Sequence, residues 1–155
     1  MGLSLPLEPT GNLAVIKACE PLLVAGAKLR AVFLAGGGAA YGYPEFSGYA
    51  LSKVATVRAV ENLGLEFIRK EFDASVVALA PGAVATDMLA SVIADGGSVK
   101  TRTDIREPTQ FVKRFVTGVL DAAALNGRFI HVRDAISGKD FSTAKSDLFR
   151  LRRIE

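Results

Sequence analysis

The sequence contains, at residues 31–38, the run Ala-Val-Phe-Leu-Ala-Gly-Gly-Gly. A short, uninterrupted apolar run that is bounded by turn residues is typical of a strand buried on both faces of a parallel sheet. Similar runs precede Pro81-Gly82 and follow Gly127. The sequence therefore predicts three parallel strands, near residues 30–35, 75–80 and 128–132.

Helices are predicted between these strands. Apolar residues at helical spacing indicate a long helix from about Tyr49 to Lys70 and a second one from Pro108 to Ala123, which Asn126-Gly127 would end. A short helix is predicted at Asp87–Ala94. Helices that alternate with buried strands are typical of an α/β domain with a parallel sheet. We therefore expect a single three-layer α/β domain over residues 1–155.

A further helix is predicted before the first strand. Thr10 or Asn12 would cap its beginning, because both side chains can accept a hydrogen bond from a free backbone N–H. Pro21 falls inside this helix and is expected to kink or break it. Gly26 ends the helical pattern.

Composition excludes several classes of protein. Half of the 155 residues are hydrophobic and the mean hydropathy is +0.30, so the chain can bury a core. No apolar run approaches the ~18 residues of a membrane span, and Met1 to Pro9 lack the pattern of a secretory signal. The single cysteine, Cys19, excludes an intrachain disulfide and a cysteine-based metal site. We expect a reducing compartment, the cytoplasm.

The net charge of +3 is unevenly distributed. Residues 1–95 carry seven basic and nine acidic residues, whereas residues 96–155 carry twelve and seven. A basic C-terminal part is compatible with nucleic-acid binding. A solvated basic face is the favoured interpretation, because no run of consecutive Lys or Arg exceeds two residues.

The glycines of Gly36-x-Gly38-x-x-x-Gly42 follow a predicted strand, as in a dinucleotide-binding fingerprint. That fingerprint requires the glycine turn to open directly into a helix whose N-terminus faces the pyrophosphate. Here Pro44 and Gly48 delay the helix by several residues. The favoured interpretation is that the glycines let this loop pass close to another part of the chain.

Tyr49 and Lys53 lie four residues apart, so a helix places them on one face. An ammonium beside a phenol favours the phenolate and lowers the pKa of the tyrosine, which can then exchange a proton with a carbonyl or alcohol oxygen. The alternative is a lysine stem that covers a half-buried tyrosine. Because ligands bind at the carboxyl ends of parallel strands, we expect the pair, the Gly36–Gly38 loop and the Pro81–Thr86 loop to converge on one cleft.

The sequence resembles the short-chain dehydrogenase/reductase family. The resemblance lies in Gly48-Tyr49-Ala50-Leu51-Ser52-Lys53 and Ala80-Pro81-Gly82-Ala83-Val84-Ala85-Thr86, and extends to residues 31–44, 127–130 and 146–153. It covers most of residues 10–153. The chain is similar to the C-terminal two-thirds of a family domain.

The resemblance implies a partial Rossmann-type, doubly wound parallel sheet that corresponds to the second half of the fold. It implies hydride transfer between NAD or NADP and a small-molecule alcohol or carbonyl compound. We also expect a homo-oligomer, because Leu13, Ile16 and the helix from Tyr49 to Lys70 would be covered by family strands without a counterpart here or by a second subunit. By the same resemblance, Tyr49 is the general acid/base, and Lys53 lowers its pKa and holds the nicotinamide ribose. Pro81, Gly82, Val84 and Thr86 would bind the cofactor.

Two departures from the family bear on activity. The serine that the family places thirteen residues before the tyrosine is Gly36 in this sequence. The family's glycine-rich fingerprint and ribose-binding acid have no counterpart in the chain. We therefore weigh a truncated or degenerate oxidoreductase against a non-catalytic α/β protein that acts through self-association or a partner. A nucleic-acid-binding module is the least favoured hypothesis.

A few other polar residues are lesser candidates. Lys100, Arg102 and Arg106 could approach a cofactor phosphate, although solvation is the favoured interpretation. His131 falls in a predicted strand and has no second metal ligand near it in sequence, which favours a core or edge histidine over a ligand.

Overall fold

The computed structural model describes residues 7–97, 102–134 and 149–151. Helices and strands alternate along the chain as the sequence predicts. Their order is α1 (Leu7–Val24), β1 (Leu29–Leu34), a 3₁₀ turn (Gly37–Ala39), α2 (Ser47–Arg69), β2 (Ala74–Ala80), β3 (Ala83–Val84), α3 (Asp87–Ala94), β4 (Arg102–Thr103), α4 (Arg106–Val116), α5 (Ala122–Leu125) and β5 (Arg128–His131).

Within the described residues, the central sheet has three parallel strands in the order β1-β2-β5. Leu34 at the end of β1 is opposite Leu79, and Ala80 at the end of β2 is opposite His131, the last residue of β5. The three carboxyl ends therefore lie at one edge of the sheet. The predicted parallel strands and the partial Rossmann-like α/β fold are confirmed. A second, two-stranded parallel pair, β3 with β4, was not predicted, because two-residue strands leave no periodic pattern.

Helices cover both faces of the sheet. Every residue of β2 is buried, and its side chains alternate between the two faces. Val76 and Ala78 pack with α1 and α2, whereas Val77 and Leu79 pack with α4 and α5. The α1–α2 layer contributes Ile16, Leu23, Val57, Val60, Leu63 and Phe67. On the opposite face, Phe111 and Phe115 of α4, Leu125 of α5 and Leu120 between these helices pack with Ile130 of β5. A continuous apolar run in β2 is thus the consequence of burial on two faces.

The first helix differs from its prediction. The chain is already helical at Leu7, the first described residue, ahead of the caps predicted at Thr10 or Asn12. The helix continues through Pro21 to Val24 without a break. Pro21 lies in the last turns of the helix, so its missing N–H removes one bond near an end rather than in the middle. The backbone of Gly26 then adopts φ +87° and ends the helix, as predicted.

The single helix predicted from Pro108 to Ala123 is two helices. The first ends at Val116, and the second occupies Ala122–Leu125. Gly118 adopts φ +77°, a conformation that stops a helix, and the Asp121 carboxylate caps the second helix by accepting from the Ala124 N–H at 3.0 Å. Apolar spacing continues across the break because both helices cover the same face of the sheet.

The remaining predicted helices are confirmed within two residues: Tyr49–Lys70 is α2, and Asp87–Ala94 is α3. Lys100 and most of the tail that carries the resemblance at residues 146–153 lie outside the described residues. Among the described residues, no helix is both long and apolar enough to cross a membrane.

Candidate active site

Tyr49 and Lys53 lie on one face of α2, as their spacing predicts. The Lys53 Nζ is 5.5 Å from the centroid of the Tyr49 ring. Lys53 is only 5% exposed, which is unusual for a lysine, and Tyr49 is half-buried. The fold thus brings a buried lysine and a tyrosine ring together, as their helical spacing predicts.

The pair is located at the carboxyl edge of the sheet. The Lys53 Nζ donates a hydrogen bond to the backbone carbonyl of Leu34, the last residue of β1, at 3.3 Å. One residue further on, the Ala35 N–H donates to the Leu79 carbonyl at 2.8 Å, which carries the pairing with β2 beyond β1 itself. The loops after β1 and β2 therefore leave the sheet side by side.

The glycine loop after β1 passes against the Tyr49 ring. A Cβ atom at Gly36 would overlap the Tyr49 hydroxyl, and one at Gly38 would lie 3.1 Å from its Cε1 and 3.0 Å from the Ala50 Cα. A Cβ at Gly37 would meet nothing within 4 Å. The prediction that these glycines allow a close approach is thus confirmed for Gly36 and Gly38, and the element approached is the candidate catalytic helix.

Two aromatic residues that the sequence analysis did not single out lie beside Tyr49. The Tyr43 ring is edge-on to Tyr49, with 6.2 Å between centroids, and stacks on Phe46 at 4.9 Å. The three aromatic residues follow one another at intervals of three in the sequence, which is the signal that could have found them. Tyr43 thus contacts Tyr49 directly, and Phe46 packs behind Tyr43.

The second candidate loop begins at Pro81-Gly82, directly after β2. Gly82 adopts φ +75°, and a Cβ there would overlap the Thr103 hydroxyl and lie 3.6 Å from the His131 Nε2. Val84 pairs with Thr103 in the β3–β4 ladder. The Thr86 hydroxyl accepts from the Leu89 N–H at 3.3 Å and so caps α3. Convergence of this loop with Tyr49 and Lys53 on one cleft stays a prediction.

A shallow cleft of about 310 Å³ lies beside this loop. Its wall contains Thr86, Asp87 and the exposed Arg102, together with apolar side chains of α3. Arg106 is engaged elsewhere, because its guanidinium binds the Asp104 carboxylate and holds the pKa of that carboxyl down to about 2. Of the basic candidates that the structure describes, Arg102 is therefore the one at a cleft.

His131 ends β5, half-buried, and its Nδ1 accepts a hydrogen bond from the Arg133 N–H at 3.1 Å. His131 therefore lies on the edge strand of the sheet and bonds to a neighbouring backbone group, as expected for an edge histidine. Within the described parts of the chain, no three His, Cys, Asp or Glu side chains are grouped so that they could hold a metal ion.

The family of the chain follows from a comparison of its sequence with family models. The model described as short chain dehydrogenase matches residues 6–96, which include α1, β1, α2, β2 and α3. The chain belongs to the short-chain dehydrogenase family. The match contains the candidate catalytic and cofactor-binding residues Tyr49, Lys53, Pro81, Gly82, Val84 and Thr86. The lesser candidates Arg102, Arg106 and His131 follow it in the sequence.

Solved structures of short-chain dehydrogenases are similar in fold. A 4-hydroxyisoleucine dehydrogenase complexed with NADH and succinate matches with a TM-score of 0.60 at 18% identity, over 78% of this chain and 51% of that one. A short chain dehydrogenase from Salmonella enterica serovar Typhi matches with a TM-score of 0.64 at 19% identity, over 81% and 49%.

An NADPH-bound carbonyl reductase from chicken fatty liver matches with a TM-score of 0.59 at 22% identity, over 77% of this chain and 49% of that one. The present short-chain dehydrogenase chain thus spans about half the length of the solved structures that it matches. No curated protein is a significant match to its sequence.

Proposed function

We propose that the protein is an NAD(P)-dependent oxidoreductase that transfers hydride between the cofactor and a small alcohol or carbonyl compound. The observation that carries the proposal is the contact of the Tyr49 phenol with the buried Lys53 ammonium at the carboxyl end of β1. Membership of the short-chain dehydrogenase family, and similarity to solved structures that hold NADH or NADPH, support the same function.

In this proposal Tyr49 handles the proton of the reaction. Its hydroxyl gives a proton to the carbonyl oxygen during reduction, and its phenolate takes the proton from the alcohol during oxidation. The Lys53 ammonium, 5.5 Å from the ring centroid, stabilises the phenolate that remains after the proton has left. The Tyr43 ring, edge-on to Tyr49, replaces water by apolar surface where the two rings meet, and a less polar surrounding strengthens this electrostatic interaction.

The described residues fit the nicotinamide end of the cofactor. Lys53 presents a cation at the carboxyl edge of β1, and Val84 and Thr86 lie on the loop that leaves the same edge after β2. These residues would hold the nicotinamide riboside, which, when bound, exchanges the hydride. Within the described residues, no glycine turn opens directly into a helix that could hold the pyrophosphate.

Cofactor binding and turnover test the proposal together. We expect saturation-transfer NMR to detect NADH or NADPH on the chain, and Lys53→Ala to weaken the signal. Carbonyl reduction should be lost in Tyr49→Phe and kept in Tyr41→Phe, since Tyr41 is 79% exposed. Binding that Lys53→Ala does not alter, or turnover that survives Tyr49→Phe, would contradict the proposed function.

The second candidate, a protein that works by association with itself or a partner, rests on exposed apolar side chains. Four of them lie on α1 and four on α2, namely Leu13, Val15, Leu22, Val24, Leu51, Val54, Leu65 and Ile68. Ile16, expected to need a cover from elsewhere, is instead buried within this chain. Exposed apolar surface of this kind favours association. Light scattering that shows a stable monomer at micromolar concentration contradicts it.

We further propose a cytoplasmic location, which the single cysteine supports because it excludes an intrachain disulfide. Fractionation of cells that express a tagged protein, with markers of each compartment, tests this location.

A further inference from the structure

The backbone at residue 36 does not itself require a glycine. Gly36 is extended, with φ −178° and ψ 173°, a conformation that every residue adopts readily. It is buried and leads into the 3₁₀ turn, where its carbonyl accepts from the Ala39 N–H at 3.0 Å. Another cause must therefore exclude a side chain at this position.

That cause is the phenol of Tyr49. A Cβ atom at residue 36 would overlap the Tyr49 Oη and lie 3.2 Å from its Cζ, inside normal contact distance, whereas the Lys53 Cγ, at 3.7 Å, would be in ordinary contact. The phenol oxygen thus fills the volume that any side chain at residue 36 would need. The next glycine, Gly37, borders open space and offers a matched comparison.

We propose that Gly36 is a positioning residue whose missing side chain lets the Tyr49 phenol reach the end of β1 beside Lys53. The proposal rests on the proposed function, because it concerns the group that would exchange the proton. Residue 36 is also the position where the family has a serine. In this protein, a serine side chain at residue 36 would occupy the volume in which the Tyr49 phenol now lies.

The clash would move the tyrosine rather than the backbone. Residue 36 is held from both sides, by the Ala35–Leu79 hydrogen bond and by its own bond to Ala39. The phenol oxygen is the far end of a side chain that rotates about two bonds, so it yields more easily. A side chain at residue 36 therefore changes the distance between the phenol and Lys53 while the fold is retained.

The test is NMR of the protein labelled with ¹³C at the tyrosine Cζ atoms. The protein contains three tyrosines and should therefore give three signals. The Tyr49 signal is assigned by its absence in Tyr49→Phe. We expect it to shift by more than its linewidth in Gly36→Ala and Gly36→Ser, and to stay in place in Gly37→Ala. We also expect any cofactor-dependent turnover to fall by about a hundredfold in Gly36→Ser, since a displacement near 1 Å has that effect.

A Tyr49 signal that does not move in Gly36→Ala, or a Gly36→Ser variant more active than the unchanged protein, overturns the proposal. A shifted signal together with absent cofactor binding upholds the role of Gly36 in placing the phenol and contradicts only the proposed function. If Gly36→Ala unfolds more easily, its thermal unfolding in a Tyr49→Phe background is decisive. Loss of the phenol oxygen should relieve most of the defect, and an unrelieved defect overturns the proposal.

Discussion

The buried Glu61 carboxylate on α2 accepts a 2.6 Å hydrogen bond from the backbone N–H of Leu151, ninety residues further along the chain. The other oxygen of the carboxylate binds Arg58, whose guanidinium also donates to the Leu151 carbonyl at 3.3 Å. Close by, the Phe149 carbonyl accepts from the Phe129 N–H of β5 at 2.8 Å. The helix that carries Tyr49 and Lys53 thus fastens the segment at residues 149–151.

Loss of the carboxylate should release this segment. We expect Glu61→Ala to lower the free energy of unfolding by about 2–3 kcal/mol, because a hydrogen bond to a charged group is removed from a buried site. Hydrogen exchange at Leu151 should accelerate. Glu66→Ala, on the exposed face of the same helix, is the matched control and should leave exchange at Leu151 unchanged. Unchanged exchange in Glu61→Ala would show that the segment is held otherwise.

Asn126 joins α2 to β2. Its side-chain carbonyl accepts from the Val76 N–H at 3.1 Å and its amide donates to the Gly64 carbonyl at 2.9 Å, both in the buried interior. Asn126→Ala leaves both backbone groups without this partner, so we expect a loss of about 2–4 kcal/mol in denaturant unfolding. Asn126→Asp keeps an acceptor for Val76 but presents no amide to Gly64. An Asn126→Ala variant as stable as the unchanged protein would show that these two hydrogen bonds do not stabilise the fold.

Gly64 lets α2 approach the turn before β5. A Cβ there would lie 2.8 Å from the Gly127 Cα and 2.9 Å from its nitrogen, which are backbone atoms that cannot rotate away. We expect Gly64→Ala to destabilise the protein by about 1–3 kcal/mol. Gly11→Ala in α1 meets nothing within 4 Å and should stabilise by about 0.5–1 kcal/mol, as alanine favours a helix. Chemical denaturation of both variants checks the opposite signs.

The pH dependence of stability should reveal the ion pair between the first two helices. Lys17 and Lys70 hold the pKa of the Glu20 carboxyl near 2, below its ordinary value of 4.5. Because the pKa is lower in the folded state, this stabilisation is complete above about pH 4.5 and is lost as the pH falls towards 2. Glu20→Gln should flatten the stability profile in that interval.

Asp104, whose pKa is also near 2, supplies the control for this profile. Asp104→Asn should flatten the profile between about pH 3.8 and 2, because the ordinary pKa of this carboxyl is 3.8, without affecting the contact between α1 and α2. If Glu20→Gln and the unchanged protein give parallel profiles from pH 2 to 4.5, the Glu20 ion pairs do not contribute in solution.

Cofactor affinity should depend on the nicotinamide end alone. We expect NADH and reduced nicotinamide mononucleotide to bind this chain with similar, weak affinity, because the described residues contain no turn and helix suited to the pyrophosphate. Calorimetric or NMR titration of the two compounds measures the difference. A micromolar affinity for NADH, absent for the mononucleotide, would reveal a pyrophosphate site that we have not identified.

Local patterns were sufficient for much of the architecture. β1, β2 and β5 were predictable because a strand buried on both faces needs consecutive apolar residues. Their parallel direction follows from the helices that connect them. The shared face of Tyr49 and Lys53 follows from helical geometry alone. The division between α4 and α5 was not predictable. A glycine within a periodic apolar pattern is compatible with a continuous helix, and the sequence does not indicate that Gly118 adopts a positive φ.

The candidate site required tertiary structure wherever distant residues meet. Sequence identifies Gly36 and Tyr49 as separate signals, yet only the folded chain places the phenol where a side chain at residue 36 would stand. The fold also brings the Tyr43 ring beside Tyr49, a contact that was not predicted from the sequence. The hydrogen bonds from Lys53 to the Leu34 carbonyl and from Leu151 to Glu61 also join residues that are distant in sequence, so only the folded chain reveals them. Periodicity reports which face of an element is buried, whereas contacts across the chain depend on how the elements pack, and packing is decided by all of them together.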